Sequence, residues 1–297
     1  MVFLRTVIGL LAFGLLLTGG YALAATASVS LTAKGPEPAT VSIDWGDTVV
    51  FSNGDTVDHG VTSQRAGMTS PTIPPGGTFE YRFDGRAGRY SFVQTGTRPT
   101  FSGVVVLTVS GEVTLKTSTK RGAYGSNVTL SGRSTYAGTP VVIQIRYAGA
   151  TGDWATLMTL PTGVDGSYSG RFRLTAGGRL RARTAADQLS SDLQDVAVLP
   201  RIRARVARSR VPKGARVVIT VQIVPAAAAD SVDLEERVEG RRGWLRKSTK
   251  AVPESGKVKF VFKAARGRTQ LRLSLKRGAL EPGFEPIVSK SMLVIGF

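Results

Sequence analysis

The sequence predicts an all-β protein built of sandwiches or Greek-key barrels, and three observations support this. The 297-residue chain contains many short segments rich in β-branched or aromatic residues, and apolar and polar residues often alternate along them. Clusters of Gly, Asp, Asn and Pro separate these segments, as tight turns require. Beyond residue 27, only residues 226–238 have a composition compatible with a short helix.

The predicted strands occur at a spacing that is typical of sandwiches and Greek-key barrels. They cover residues 49–51, 79–83, 90–92, 104–109, 128–130, 141–147, 171–174, 217–223 and 257–262. The turn sequences between them supply positive or fixed φ angles. They are Asn53-Gly54-Asp55, Pro75-Gly76-Gly77, Asp165-Gly166-Ser167 and Pro282-Gly283.

Residues 1–27 have the layout of a secretory signal peptide. Arg5 precedes an apolar run over residues 7–17, and two small-x-small sites follow, ending at Ala24 and Ala27. Of the two cleavage positions, the one after Ala27 is slightly favoured. The alternative is an uncleaved membrane anchor, since about 20 uncharged residues can span a bilayer. Either way, we expect the bulk of the protein to be secreted or to lie outside the cytoplasm, in association with the cell envelope.

Charge divides the remaining chain into three predicted domains. Residues 28–110 contain 6 basic and 7 acidic residues, residues 111–199 contain 10 and 6, and residues 200–297 contain 22 and 8. The last domain therefore carries most of the net charge of +18. No long Pro, Gly or Ser linker marks either boundary, so we expect closely spaced domains with short joints.

The second and third domains read as two copies of one unit. Each contains, in the same order, a Gly-x-x-Val sequence, a central strand, a Trp, a Gly turn and a Leu-Arg strand. This pattern resembles the bacterial immunoglobulin-like domains that occur in tandem on secreted and surface proteins. In such a two-sheet unit, Trp154 and Trp244 are expected to be large buried core residues.

The first domain resembles the cupredoxins, the small copper domains of the plastocyanin and pseudoazurin type. The resemblance covers residues 41–109. It rests on Gly46-Asp-Thr-Val-Val-Phe-Ser-Asn53, Asp58-His59, Pro75-Gly76, Gly88-Arg-Tyr90-Ser-Phe92 and Gly103-Val-Val-Val-Leu107. It implies a Greek-key sandwich for this domain.

The copper ligands that the resemblance implies are mostly replaced. His59 falls on the first His position, but Gln94 occupies the Cys position, Thr97 the second His position and Phe101 the Met region. A blue-copper site needs two imidazoles and a thiolate, and the chain has one His and no Cys. We therefore expect no copper, no other metal and no cofactor, with His59 as a loop residue bonded to its neighbours.

The same composition excludes most catalytic chemistry. Without Cys there is no disulfide, thiolate nucleophile or iron–sulfur cluster, and one His cannot supply a site of two imidazoles. No nucleophile elbow or phosphate loop is present. The first domain also has four clustered acidic residues, Asp44, Asp47, Asp55 and Asp58, but they lack calcium-loop spacing and are read as turn caps. The protein is predicted not to be an enzyme.

The basic third domain is predicted to bind polyanions. The candidate residues are Arg201, Arg203, Arg205, Arg241, Arg242, Arg246 and Lys247. The expected partners are anionic cell-envelope polymers or a membrane surface. The alternative is a solvated face that only maintains solubility. No docking element for sequence-specific nucleic acid is visible, and the sequence identifies no protein partner.

These observations lead to one hypothesis and two alternatives. The hypothesis is a secreted, non-enzymatic binding or structural protein of the cell envelope. The first alternative is a copper-binding or electron-transfer protein, which the cupredoxin resemblance suggests and the missing ligands oppose. The second is a carbohydrate-binding module that presents Trp45, Trp154 or Trp244 to sugars.

Overall fold

The computed structural model describes residues 24–96, 100–184, 188–237 and 242–297. These residues form β-strands joined by turns, with two 3-10 helices of three residues each. The prediction of an all-β protein composed of several sandwiches is confirmed. Across the described ranges, no helix is long and apolar enough to cross a membrane.

The N-terminal sandwich comprises the described residues between 24 and 110. Its strands are β1 (Thr26–Thr32), β2 (Gly35–Glu37), β3 (Thr40–Asp44), β4 (Thr48–Asn53), β5 (Gly60–Ser63), β6 (Met68–Thr69), β7 (Thr78–Arg82), β8 (Gly88–Thr95) and β9 (Phe101–Thr108). One sheet has the order β2-β1-β4-β7 and the other β3-β9-β8-β5-β6. The pairs β1–β4 and β3–β9 are parallel, and the others are antiparallel.

The middle sandwich comprises the described residues between 111 and 199. Its strands are β10 (Lys116–Thr117), β11 (Arg121–Ala123), β12 (Asn127–Arg133), β13 (Val141–Tyr147), β14 (Ala155–Leu160), β15 (Ser167–Arg173), β16 (Gly178–Thr184), β17 (Leu189–Ser190) and β18 (Gln194–Leu199). A three-stranded sheet, β10-β12-β15, faces a six-stranded sheet, β11-β18-β16-β13-β14, in which β17 also pairs with β16.

The C-terminal sandwich comprises the described residues from 200 to 297. Its strands are β19 (Arg201–Val206), β20 (Arg210–Val211), β21 (Arg216–Val224), β22 (Ser231–Arg237), β23 (Leu245–Ala251), β24 (Lys257–Lys263), β25 (Gly267–Leu275), β26 (Ile287–Val288) and β27 (Met292–Gly296). The 3-10 helices are Ala226–Ala228 and Arg277–Ala279. The sheets are β19-β21-β24 and β20-β27-β25-β22-β23, with β26 paired to β25.

The structure confirms the internal repeat, strand for strand. Each of the nine strands of the middle sandwich has a counterpart in the C-terminal sandwich with the same neighbours. Both copies have a register shift in the central hairpin, at Ile143/Gln144 and at Leu234/Glu235. Ser191 and Ser289 have the same role, since each hydroxyl accepts a hydrogen bond from a backbone N–H of the neighbouring long strand. The two copies therefore serve as structural controls for each other.

Composition allows a short helix within residues 226–238, but the described part of this segment is mainly a strand. The alanines form only the single 3-10 turn, and β22 follows from Ser231. Within β22, Val232 and Leu234 face the core, while Asp233 and Glu235 point to the opposite side of the sheet. This period of two fits a strand, and packing against two neighbouring strands outweighs the helix propensity of the Ala run.

Each sandwich has its own hydrophobic core. Trp154 does not belong to the middle core, and Trp244 does not belong to the C-terminal core. The middle core contains Ile143 and Leu180, and the C-terminal core contains Phe260, among other fully buried side chains. The two Trp side chains are half-buried. Trp154 lies just before β14 and Trp244 just before β23. Each contacts an arginine on the outer face of the larger sheet, away from the core. The prediction that they are core residues is therefore wrong.

Direct contacts join the N-terminal and middle sandwiches. The Tyr136 ring meets Trp45 edge to face at 5.2 Å, and its hydroxyl donates to Asp44 Oδ1 at 3.1 Å. Asp44 also accepts from the backbone N–H groups of Trp45 and Ser110, at 2.9 and 3.0 Å. Partial burial disfavours the charged form of Asp44, but the hydrogen bonds from Ser110, Trp45 and Tyr136 outweigh it and lower the pKa of this carboxyl.

A short segment of the C-terminal sandwich docks on the middle one. Val198 of β18 donates to Gly283 O at 3.0 Å and accepts from the Glu285 N–H at 2.9 Å, so the segment extends the middle sheet. Phe284 packs against the middle core. Gly177 has no room for a side chain, because an added Cβ would lie 2.3 Å from Gly283 O. The backbones of the middle and C-terminal sandwiches are therefore in close contact at Gly177 and Gly283.

Candidate functional site

His59 is buried in the N-terminal sandwich, where both of its ring nitrogens lie within hydrogen-bond distance of neighbouring residues. It is 2% exposed, and its Nε2 lies 3.0 Å from Asp55 Oδ2. Its Nδ1 lies 3.4 Å from Thr95 O and 3.5 Å from Gln94 Nε2. The hydrogen bond from the Thr56 backbone N–H lowers the pKa of the Asp55 carboxyl most, and the hydrogen bond with His59 lowers it further. The expectation that His59 bonds neighbouring loops agrees with this geometry, although the residue is more deeply buried than a loop-edge residue would be.

The residues at the inferred ligand positions do not fit copper. Gln94 is fully buried, and its amide nitrogen donates to Thr32 O at 2.8 Å, so the side chain turns a hydrogen-bond donor towards His59. Phe101 pairs with Gln94 in the β8–β9 ladder and packs its ring over Gly35. An amide nitrogen and a phenyl ring offer no soft ligand, and the sequence has no Cys to supply one. Thr97 lies outside the described residues.

Three of the four clustered acidic residues, Asp44, Asp47 and Asp55, accept hydrogen bonds from backbone N–H groups. Asp47 accepts from the backbone N–H groups of Ala25 and Asp44, at 2.7 and 2.8 Å, and Asp55 accepts from that of Thr56 at 2.7 Å. Within the described ranges, no three His, Asp or Glu side chains form a group that could hold a metal ion. These contacts agree with the turn-cap interpretation.

Three of the predicted polyanion-binding residues lie side by side on one sheet face. Arg201, Arg203 and Arg205 are exposed on β19, and the residues between them turn inward. The alternation of Arg with apolar residues thus places all three guanidinium groups on the outer face of the β19-β21-β24 sheet.

The same face carries four further cations that the sequence analysis missed. Arg216 is exposed on β21, and Lys257, Lys259 and Lys263 are exposed on β24. The sequence Lys257-Val-Lys259 alternates cations with an apolar residue, as β19 does. The sequence does not show, however, that β19 and β24 belong to the same sheet. We call these seven residues the basic face. No ion pair involves any of them within the described part of the chain.

An open groove crosses the middle of the basic face. Its volume is about 380 Å³. The pairing register opposes Arg203 to Gln222 and Lys257, and Arg205 to Thr220 and Lys259. Cations from the two outer strands therefore stand on both sides of Thr220 and Gln222, two neutral residues of the central strand.

Arg246 and Lys247, two other predicted cations, lie elsewhere and have acidic neighbours. Arg246 and Lys247 belong to β23 in the other sheet, and Arg242 is exposed in the turn that precedes it. Lys247 Nζ pairs with Glu236 at 2.5 Å, and the charge of Arg246 acts on Asp233. Arg241 lies outside the described residues. The structure therefore does not join Arg242, Arg246 or Lys247 to the basic face.

A buried ionic cluster occupies the outer face of the larger C-terminal sheet. Glu235 is 4% exposed, and its carboxylate meets Arg272 Nε at 2.7 Å and Lys276 Nζ at 3.2 Å. Lys276 also pairs with Asp233 at 2.9 Å. Burial disfavours the charged form of Asp233, but Thr249 and Lys276 outweigh it and lower its pKa. The carboxylates are thus neutralised within the sandwich.

Arginine side chains cover the two Trp rings on these outer faces. The Arg272 guanidinium lies 4.5 Å from the Trp244 ring centre, and Arg181 lies 4.2 Å from that of Trp154. Arg181 donates to Gln144 Oε1 at 2.9 Å, which matches the bond from Arg272 to Glu235 in the other copy. Both repeats therefore bury part of the Trp ring under a fixed guanidinium group.

No protein-family model matches the chain, and no curated protein matches it significantly. Among solved structures, a purple cupredoxin from Nitrosopumilus maritimus is 23% identical, covers 28% of this chain and 99% of its own, and gives a TM-score of 0.25.

Two multidomain structures are similar over more of the chain. A tetra-tandem repeat from the extending region of a large adhesion protein is 14% identical, covers 90% of this chain and 73% of its own, and gives a TM-score of 0.36. The D1–D4 ectodomain fragment of ICAM-5 is 16% identical, covers 88% and 75%, and gives 0.35. TM-scores this low do not support a fold assignment, which depends instead on the strand order of the sheets described above.

Proposed function

We propose that this protein is a secreted, non-enzymatic binding protein of the cell envelope, and that its C-terminal sandwich attaches it to anionic polymers. The observation that carries the proposal is the basic face, on which seven exposed cations have no ion pair within the described residues. A polyanion that binds there releases its condensed counterions, which favours association at low salt.

The absence of acidic residues on its strands separates the basic face from the larger sheet of the C-terminal sandwich. Elsewhere in this sandwich, Asp233, Glu235 and Glu236 pair with cations of the larger sheet. The larger sheet thus carries acidic side chains beside its own exposed cations, whereas the strands of the smaller sheet carry no acidic residue. An anionic partner therefore meets no like charge from the strands of the basic face.

The secreted location is supported by the signal-peptide pattern of residues 1–27, most of which lie outside the described residues. β1 begins at Thr26, and Ala25 already bonds to Asp47 and Thr48. Of the two cleavage positions, only the one after Ala24 leaves β1 complete. The mature chain is therefore proposed to begin at Ala25.

A role in carbohydrate binding is less well supported by the aromatic residues. The Trp154 and Trp244 rings are each stacked by an arginine, and Trp45 packs against Tyr136 at the junction of two sandwiches. A sugar would have to displace these contacts to stack on a ring. A copper-dependent role is opposed by the donor set around His59, as described above.

The test compares two full-length variants of equal charge change on beads coated with polyphosphate or poly-L-glutamate. In the face variant, Arg201, Arg203 and Arg205 are each replaced by Thr, which suits an exposed strand position. The control removes three cations from the middle sandwich with Lys116→Thr, Arg171→Thr and Arg173→Thr. We expect the wild type and the control to elute at similar salt, and the face variant at much lower salt.

The two coatings distinguish a preference for phosphate from one for carboxylate. Equal loss of retention in both variants would contradict the proposal, since it would reflect net charge alone. Retention of the wild type that does not change with salt would contradict it as well.

A further inference from the structure

We infer that the groove on the basic face is a binding site for one extended polyanion chain, which lies along the strand direction. This inference rests on the proposed function and makes it more specific. The walls of the groove are Arg203 and Arg205 on β19 and Lys257 and Lys259 on β24, and its floor is β21.

The floor of the groove is neutral and is held in place. Thr220 Oγ1 donates to Arg205 O at 3.4 Å. The Gln222 amide donates to Ile223 O and to Ser255 O, at 3.3 and 3.1 Å. Because both side chains are bonded to the backbone, they stay low between the longer cationic side chains. A bound chain therefore meets cations from two sides.

The dimensions of the sheet favour a single chain. Neighbouring strands lie about 4.8 Å apart, so the two walls are separated by about 10 Å, and successive wall cations on one strand are about 7 Å apart. Phosphate or carboxylate groups spaced along one flexible chain can reach both walls in turn. A nucleic-acid duplex or a lipid bilayer presents a broad surface, which the wall side chains would hold away from the floor.

The middle sandwich shows that the fold does not require the two wall lysines. By register, Lys257 and Lys259 correspond to Ser167 and Ser169. Arg205 corresponds to Lys116, and Thr220 to Ser131. The corresponding sheet therefore forms with serines along the wall strand, so the wall lysines of the C-terminal copy are not structural necessities.

The proposal is tested with full-length protein and a 12-residue oligothymidylate, which serves as a single-chain phosphodiester probe. The groove variant is Lys257→Ser with Lys259→Ser, which copies the residues of the middle sandwich. The control is Arg216→Ser with Lys263→Ser, a directly opposed pair on the same face outside the groove. Fluorescence anisotropy at several salt concentrations gives the affinity and its salt dependence.

We expect the groove variant to bind the oligonucleotide about tenfold more weakly at low salt, which equals roughly the worth of two exposed ion contacts. The slope of log affinity against log salt should become shallower by about 1.4, from about 0.7 for each contacted phosphate of a single strand. The control pair should change both quantities much less. A duplex of the same length and vesicles containing phosphatidylglycerol should bind more weakly than the single strand.

The possible outcomes separate this inference from the proposed function. Equal losses in the groove variant and the control would overturn the groove as the site, while a general role for the basic face would stand. Stronger binding to the duplex or to the vesicles would overturn the single-chain ligand. Absence of salt-dependent binding by the wild type to any of these probes and to the coated beads would overturn both proposals.

Discussion

At the residue scale, the molecule treats its charged side chains in two different ways. Glu235 is buried, and its carboxylate is neutralised by Arg272 and Lys276. The cations of the basic face are exposed and have no acidic partner within the described chain. Since a buried unpaired charge is costly and an exposed one is not, the first group serves folding, and the second is available for a ligand.

Replacing Arg272 by Ala should destabilise the C-terminal sandwich by about 3 kcal/mol, because it leaves the Glu235 carboxylate buried with one cation fewer. The control is Glu235→Gln, which reproduces the pair of Gln144 and Arg181 in the middle sandwich and should cost only about 1 kcal/mol. Urea unfolding of both variants measures the difference. Equal costs for the two changes would show that the charge on Glu235 does not determine the effect.

At the scale of the elements, alternation in the sequence predicts strands well and predicts which residues share a face. The predicted strands all lie within or overlap observed ones, and Arg201, Arg203 and Arg205 share a face as their spacing implies. The run of alanines after Pro225 is misleading, because helix propensity is a weak preference that sheet packing overrides. Composition alone therefore leaves a helix open where most of the segment forms a strand.

The parts of the candidate site that escape prediction depend on contacts between distant segments. Lys257 and Lys259 join the arginines of β19 only because both strands pair with β21. Likewise, the two Trp residues fit the repeat pattern, but the sequence does not show that arginines of β16 and β25 cover them. Pairing order and register are set by the whole sandwich.

At the scale of the whole molecule, three sandwiches are joined by specific contacts in addition to the chain itself. Tyr136 and Asp44 connect the first two, and Phe284 and its neighbours connect the last two. These hydrogen-bonded and aromatic contacts favour the arrangement of adjacent sandwiches that the structure has.

The Asp44 contacts predict a dependence of stability on acid. The folded-state pKa of Asp44 lies below its ordinary value of 3.8. Its stabilising contribution is therefore complete above that value and is lost as the pH falls through the lowered pKa. At pH 7, Asp44→Asn should cost about 1 kcal/mol, since the site is partly exposed and solvent screens the charge. Urea midpoints of the two proteins should converge in stronger acid, and an unchanged difference there would exclude this role for the charge.

The location of the polyanion site is tested most directly by lysine acetylation of the full-length protein with and without polyphosphate, followed by mass spectrometry. We predict that polyphosphate slows modification of Lys257 and Lys259 and leaves the rates at Lys116 and Lys120 of the middle sandwich almost unchanged. Equal slowing at all four lysines, or slowing at Lys116 and Lys120 alone, would contradict the assignment of binding to the basic face.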